Sequence, residues 1–136
     1  MYRPLPALLI SALLVLCSAS RPKEPQLTLI MKGLKNERGN VMVRIKDAAN
    51  RTVKNIKHPI SVLPPQIEIN LPAGRYAVAA FHDENGNEKL DRAWSGMPQE
   101  PYGFSNGVRG SILGPPDLAE QLFSLSSSRE LKIQIE

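Results

Sequence analysis

The chain is short of the residues that build reactive and metal-binding sites. Its 136 residues include one cysteine, Cys17, and two histidines, His58 and His82. One cysteine cannot form a disulfide within the chain, and two histidines without a second cysteine do not make a closed zinc site. The shortage excludes a disulfide scaffold and argues against zinc chemistry.

Aromatic residues and uncompensated charge are sparse as well. Aromatic residues make up 5% of the chain, and its formal net charge of +4 comes from cations scattered along the sequence. Nucleic-acid-binding domains concentrate Lys and Arg on one face or along one element. The chain shows no basic stripe with interleaved aromatic residues, and we therefore predict no nucleic-acid binding.

A long apolar run occurs once, near the beginning of the chain. Arg3 precedes the run, which extends over residues 5–16, and the small residues of 17–20 follow it. This order is typical of a secretory signal, and the run is shorter than the ~20 residues that a bilayer-spanning helix needs. We predict a signal peptide at residues 1–20 and export to the periplasm or the cell exterior, with no transmembrane segment in the mature chain.

Cys17 leaves two ways of processing this segment open. Cleavage after Ala19 or Ser20 would remove Cys17, and the mature chain would then have no thiol chemistry. Lipid attachment at Cys17 is the alternative, although Leu16 stands where that processing needs a small residue. The export prediction is common to both.

Residues 26–136 have the pattern of a single all-β domain, preceded by a short proline-containing tether at 21–25. Alternation of apolar and polar residues predicts strands, here at Gln26–Lys32, Val41–Lys46, Ile67–Leu71, Arg75–His82, Gln121–Leu125 and Leu131–Glu136. With the apolar run Ile60–Leu63 this gives about seven short strands, and no long amphipathic helix is evident. We predict an antiparallel β-sandwich, immunoglobulin-like or transthyretin-like, with the first two strands forming a hairpin.

A long region rich in Gly and Pro, Asp83 to Pro116, interrupts this pattern. Long loops inside compact domains are uncommon and are often functional. This one contains Trp94, Tyr102 and Phe104, which are bulky aromatic residues of the kind enriched at binding hot spots. We predict that they contact an unknown envelope protein or a small ligand; the alternative is that they cover one open end of the sandwich.

The start of this loop has the spacing of a calcium site. Oxygen-bearing side chains stand at positions one, three, five and nine of the loop, and position seven offers a backbone carbonyl, the residues being Asp83, Asn85, Asn87, Asp91 and Lys89. Calcium takes six to eight oxygen ligands, often at alternate positions of one loop. Position twelve is Trp94, so a closing carboxylate would have to come from Glu84, Glu88, Glu100 or elsewhere. We therefore expect weak binding, with a Kd of about 10⁻⁴–10⁻³ M.

A structural turn explains the same residues without a metal. Asn85-Gly86 is a strong hairpin signal, and Asp and Asn side chains often bond to the backbone of their own turn. The calcium site and the plain turn both remain open at this point.

Catalysis is not indicated by the titratable residues. His82 and Asp83 are adjacent, and adjacent strand residues point to opposite faces, so they do not form an acid–base dyad. His58 precedes Pro59 and suits a surface position. We predict a protein that is not an enzyme.

Several motifs together resemble a known bacterial family, the one called domain of unknown function 2141. The motifs are LPAGRYAV at 71–78, HDENGN at 82–87, Leu90-Asp91, GMPQEPYGFSN at 96–106, Gly114-Pro115-Pro116 and Phe123. The resemblance covers most of residues 26–136 and implies an exported β-sandwich domain without a known activity. This chain departs from the family at Glu88, where the family often has glycine.

Overall fold

The computed structural model describes residues 20–136, so all but Ser20 of the expected signal peptide lies outside the described part. Eight strands form along the chain: β1 (Gln26–Lys32), β2 (Asn40–Asp47), β3 (Thr52–Pro59), β4 (Gln66–Asn70), β5 (Gly74–Asp83), β6 (Tyr102–Phe104), β7 (Phe123–Leu125) and β8 (Arg129–Gln134). The only α-helix among these residues is one turn, α1 (Leu118–Gln121), and no helix in this range is long and apolar enough to cross a membrane. The all-β prediction is confirmed.

The strands form two sheets that enclose one core. The smaller sheet has the order β4-β1-β8; the larger has the order β3-β2-β5-β6, with β7 also paired to β5. Pairing is antiparallel except between β1 and β8, which run parallel. The first two strands lie in different sheets, unlike those of an immunoglobulin domain. The strand order therefore does not fit the immunoglobulin-like plan.

The predicted hairpin between the first two strands is wrong. β1 pairs with β4 and β8, whereas β2 pairs with β3 and β5. The alternation itself was read correctly, because Leu29 of β1 and Val43 of β2 are both buried in the core. Alternation shows which face of a strand is buried but not which strand lies beside it, and here the two apolar faces meet across the core.

Apolar side chains from both sheets fill the space between them. The fully buried members include Leu27, Leu29, Met31, Val41, Ile45, Val78, Leu125, Ile133 and Ile135. Burial of one Leu or Ile side chain contributes about 1.5–3 kcal/mol to the free energy of unfolding. This core fixes the two sheets face to face.

The end of the chain joins the two sheets along one side. Beyond β8, the N–H of Ile135 donates to the carbonyl of Lys32, and Glu136 exchanges two backbone hydrogen bonds with Tyr102 of β6. Gly103 makes this approach possible, since a Cβ there would lie 1.9 Å from the carbonyl oxygen of Gln134. The chain end therefore holds β6, and the loops on either side of it, against the sandwich.

The strand β5 occupies the middle of the larger sheet. It pairs with β2 along one edge, and with β6 and β7 in succession along the other. The turn that precedes β5 is fixed by Tyr76, whose hydroxyl donates to the carbonyl of Pro72 at 2.7 Å. Burial raises the pKa of Tyr76, with smaller effects in the same direction from Glu24 and Asp47.

We expect Tyr76→Phe to lower the free energy of unfolding by about 1 kcal/mol at neutral pH, because it removes one buried hydrogen bond. The raised pKa means that the folded state disfavours the ionised phenol. Its contribution is complete below the unfolded pKa of about 10 and is lost as the pH rises through the folded pKa. The difference in the free energy of unfolding between wild type and variant should therefore shrink from about pH 10 upward. Urea denaturation of both proteins at several pH values measures this difference.

Tyr102→Phe is the matched control for the effect at neutral pH. The Tyr102 hydroxyl makes no hydrogen bond to another of residues 20–136. Equal losses of stability in the two variants would contradict the role given to the Tyr76 hydroxyl.

Candidate functional site

The oxygen-rich loop is attached to the fold through Asp83, the last residue of β5. Its carboxylate is fully buried and accepts two backbone hydrogen bonds, from the N–H of Asn87 at 3.1 Å and of Glu88 at 2.9 Å. A carboxylate that receives two N–H groups folds the chain back into a tight loop. The loop therefore begins from a fixed point at the end of the central strand.

The other predicted ligands converge within the same loop. The Asp91 carboxylate accepts a hydrogen bond from the side-chain amide of Asn85 at 2.5 Å and from that of Asn87 at 2.8 Å. The side-chain oxygen of Asn85 accepts the N–H of Asn87, and that of Asn87 accepts the N–H of Lys89. The side chains of Asn85 and Asn87 are thus hydrogen-bonded to Asp91, whereas Asp83 joins the same loop through backbone N–H groups.

Glu100 reaches this loop from further along the chain. Its Oε2 accepts the N–H of Asp91 at 3.1 Å, while its Oε1 is buried without a hydrogen-bond partner among residues 20–136. Burial raises the pKa of Glu100; the hydrogen bond from Asp91 opposes the shift, and the carboxylates of Asp91 and Asp83 add to it. The loop therefore has a third carboxylate beside it, in surroundings that disfavour its negative charge.

The fit to a metal ion is partial. Among residues 20–136, no three side chains of the types His, Cys, Asp and Glu are placed to hold a metal ion. An ion in this loop would have to take several ligands from the Asn side chains and from backbone carbonyls. The plain turn and the weak calcium site predicted from the sequence involve the same residues. The arrangement of this loop is therefore compatible with both interpretations.

The two histidines differ in placement. His82 is buried, and its Nε2 lies 2.7 Å from the carbonyl of Arg38. Its Nδ1 has no hydrogen-bond partner in the described part of the chain and lies 3.9 Å from Glu84. His58 lies in β3, not in a loop, and its side chain is half-buried.

A second candidate site lies on the outer face of the larger sheet. There the sheet forms the floor of a groove of about 800 Å³, and two loops, 88–98 and 110–115, form its walls. This volume is in the range of small-molecule sites. The sandwich core lies beneath the floor of the groove.

The floor follows from the strand register. One row across β3, β2, β5 and β6 consists of Lys57, Met42, Phe81 and Tyr102; the next consists of Asn55, Arg44, Ala79 and Phe104. In both rows the β5 and β6 residues are apolar or aromatic, and each row has a cation on the β3 or β2 side. Tyr102 and Phe104 meet edge to face, with ring centroids 5.7 Å apart. The floor is therefore apolar at one end and cationic at the other.

The three aromatic residues predicted to bind a partner separate in the structure. Tyr102 and Phe104 line the groove, whereas Trp94 is fully exposed and is not among the lining residues. Trp94 lies in a turn closed by hydrogen bonds between Ala93 and both Gly96 and Met97. Ala79 and Phe81 of the floor were not singled out from the sequence, although the apolar residues on both faces of β5 were a signal for them.

Comparison with known proteins gives one match. The chain matches the profile of the family described as "Uncharacterized protein conserved in bacteria (DUF2141)" over residues 30–134. The chain belongs to this family. No curated protein and no solved structure matches it. Membership in DUF2141 confirms the resemblance and assigns no activity.

Glu88 of this DUF2141 member has an unusual backbone conformation. Glu88 has a φ of 64°, in the left-handed region where glycine is favoured. Its carboxylate forms an ion pair with Lys57 of β3. The ion pair connects the oxygen-rich loop to the far edge of the sheet and places the start of one groove wall above β3.

We expect Asp83→Ala to lower the free energy of unfolding by roughly 3 kcal/mol, because two backbone N–H groups lose a buried charged acceptor. Asp117→Ala is the matched control, since Asp117 is exposed and its side chain does not cap α1. The control should change stability by less than about 0.5 kcal/mol. Chemical denaturation measures both, and equal losses would contradict the anchoring role of Asp83.

Proposed function

We propose that this DUF2141 protein is a non-catalytic binding module, exported from the cytoplasm, that holds a small ligand with an apolar part in the groove. The observation that carries the proposal is the groove itself, in which Ala79, Phe81, Tyr102 and Phe104 present apolar surface to solvent. Exposed apolar patches of this kind, rimmed by polar residues, mark binding sites. Export rests on the signal-like segment at residues 1–20.

The composition of the groove supports binding in preference to catalysis. Its lining contains neither histidine nor cysteine, and its carboxylate, Glu88, is paired with Lys57. Catalysis by acid–base or nucleophilic routes needs a reactive group with an activating partner. His82 points from the face of β5 opposite to that of Phe81, since the two are adjacent strand residues.

We expect the uncharged, environment-sensitive dye Nile red to bind the mature protein and to gain fluorescence. Ala79→Trp should weaken this binding at least about tenfold, because the indole would fill the middle of the floor. Ala119→Trp, on the exposed side of α1, adds the same group away from the groove and should leave binding unchanged. A fluorescence titration gives the three dissociation constants, and circular dichroism checks that each variant is folded.

Trp94→Ala separates this proposal from binding of a partner by the exposed loop tip. Trp94 is not among the groove-lining residues. Trp94→Ala should therefore weaken Nile red binding less than Ala79→Trp does. Loss of dye binding in Trp94→Ala but not in Ala79→Trp would contradict the groove and favour the loop tip.

Calcium stabilisation is the second candidate function, favoured by the convergence of Asp83, Asn85, Asn87 and Asp91. The buried, unpartnered oxygen of Glu100 beside this loop is a further available ligand atom. In this proposal the ion would be held by these side chains, with the carbonyl of Lys89, and would fix the loop that continues into the groove wall. Its chemistry would be structural, because calcium would offset the repulsion between the carboxylates.

If this is correct, about 10 mM calcium should raise the midpoint of thermal unfolding by roughly 5 °C, because an ion that binds only the folded state stabilises it by mass action. A chelator should reverse the shift. Asp91→Ala should abolish the response, whereas Glu130→Ala, which removes an exposed carboxylate of β8, should keep it. An equal response in both variants would show that calcium acts elsewhere.

A further inference from the structure

The groove is charged at one end. Four cations are among its lining residues, namely Arg44, Lys57, Lys89 and Arg92, together with one carboxylate, Glu88. Because Glu88 and Lys57 neutralise each other, the lining has a net charge of three positive units. Apart from Glu88, no carboxylate among the lining residues compensates these cations.

We propose that the natural ligand is a single-chain anionic amphiphile, a hydrocarbon chain with a carboxylate or phosphate head. The head would lie beside Arg44 and Lys89, and the chain would extend toward Tyr102 and Phe104. This inference rests on the proposed function of the groove and specifies the chemistry of its ligand.

The cationic end has donors available for such a head. Arg44 donates through Nε to the side chain of Asn55 at 3.2 Å, and none of the carboxylates in residues 20–136 forms an ion pair with it. Its remaining guanidinium N–H groups make no hydrogen bond to another of residues 20–136, and their geometry matches the two oxygens of a carboxylate or phosphate. Arg92, in the wall, is held by a hydrogen bond from Nη1 to the carbonyl of Gly96 at 2.8 Å.

The apolar end consists of side chains that a hydrocarbon chain could contact. Ala79 and Phe81 of β5 lie beside Phe104 and Tyr102 of β6. Ile112, from the second wall, is 86% exposed. A chain lying along the floor would contact these residues and would remove their apolar surface from water.

The cations at one end of the groove should also discriminate between ligands by the charge of their head groups. A cationic head of the same chain length would be repelled at the Arg44 end, and an uncharged head would gain only the apolar contacts. Because the cationic end is partly exposed, the preference for an anion should weaken as the salt concentration rises. Discrimination by head charge is therefore the measurable consequence.

Displacement of Nile red from the mature protein tests the inference. The competitors are dodecanoate, dodecyl maltoside and dodecyltrimethylammonium, each below its micelle-forming concentration. We expect dodecanoate to bind at least about tenfold more tightly than the uncharged competitor at low salt, and the cationic competitor to bind most weakly. The double variant Arg44→Gln, Lys89→Gln should remove most of the preference for dodecanoate over dodecyl maltoside.

Lys32→Gln, Lys132→Gln is the control pair, because it removes two exposed cations from the smaller sheet on the other side of the sandwich. If Nile red fails to bind the wild type, the groove proposal itself is wrong. If Nile red binds but the three heads compete equally, or the control pair loses the preference as much as the groove pair, the amphiphile inference alone is overturned. Binding to anionic phosphatidylglycerol vesicles without binding of monomeric dodecanoate would overturn it in favour of a membrane surface.

Discussion

The pairing of β5 on both of its edges is the constraint on which the rest of the structure depends. This strand is hydrogen-bonded to β2 along one edge and to β6 and β7 along the other, and its two faces contribute to different parts of the molecule. One face supplies Val78 and Ala80 to the core. The other supplies Ala79 and Phe81 to the groove floor, and its end supplies Asp83 to the oxygen-rich loop. Both candidate sites are therefore continuations of one strand.

The groove exists because the chain returns to the larger sheet after a long excursion. The loop after Asp83 passes over β3, where Glu88 pairs with Lys57, and the chain then comes back to β5 as β6. The hydrogen bonds between Glu136 and Tyr102 hold β6 in place from the other sheet. Walls made from loops and a floor made from strands give a site whose shape depends on both. This is the usual division between a rigid scaffold and variable binding loops.

The two candidate sites are adjacent and share residues of one loop. Lys89 contributes its N–H to the oxygen-rich loop and its side chain to the groove lining. Glu88 likewise connects the buried Asp83 carboxylate, through its N–H, to Lys57 in the groove. A change in the oxygen-rich loop would therefore move one wall of the groove, which gives a physical route by which an ion could affect ligand binding.

Much of the fold was predictable from local pattern. Alternation identified β1, β2, β4, β5 and β8 and their buried faces. β3 was missed because the segment Asp47 to His58 has weak alternation; it is an edge strand with most of its residues exposed, so little burial constrains its sequence. The hairpin of the first two strands was predicted wrongly, because a short connection between two strands also suits a crossing from one sheet to the other.

The sequence by itself determined β1, β2, β4, β5 and β8 with their buried faces, the family and the spacing of oxygen groups after β5, because these depend on residues that are near one another along the chain. Only the tertiary structure decided that Glu100 approaches Asp91, that Tyr102 and Phe104 lie beside Phe81 and Ala79 while Trp94 does not, and that cations from β2 and β3 share a groove with them. Those relations are set by strand pairing and sheet closure between residues far apart in the chain. Local periodicity carries no information about such pairing.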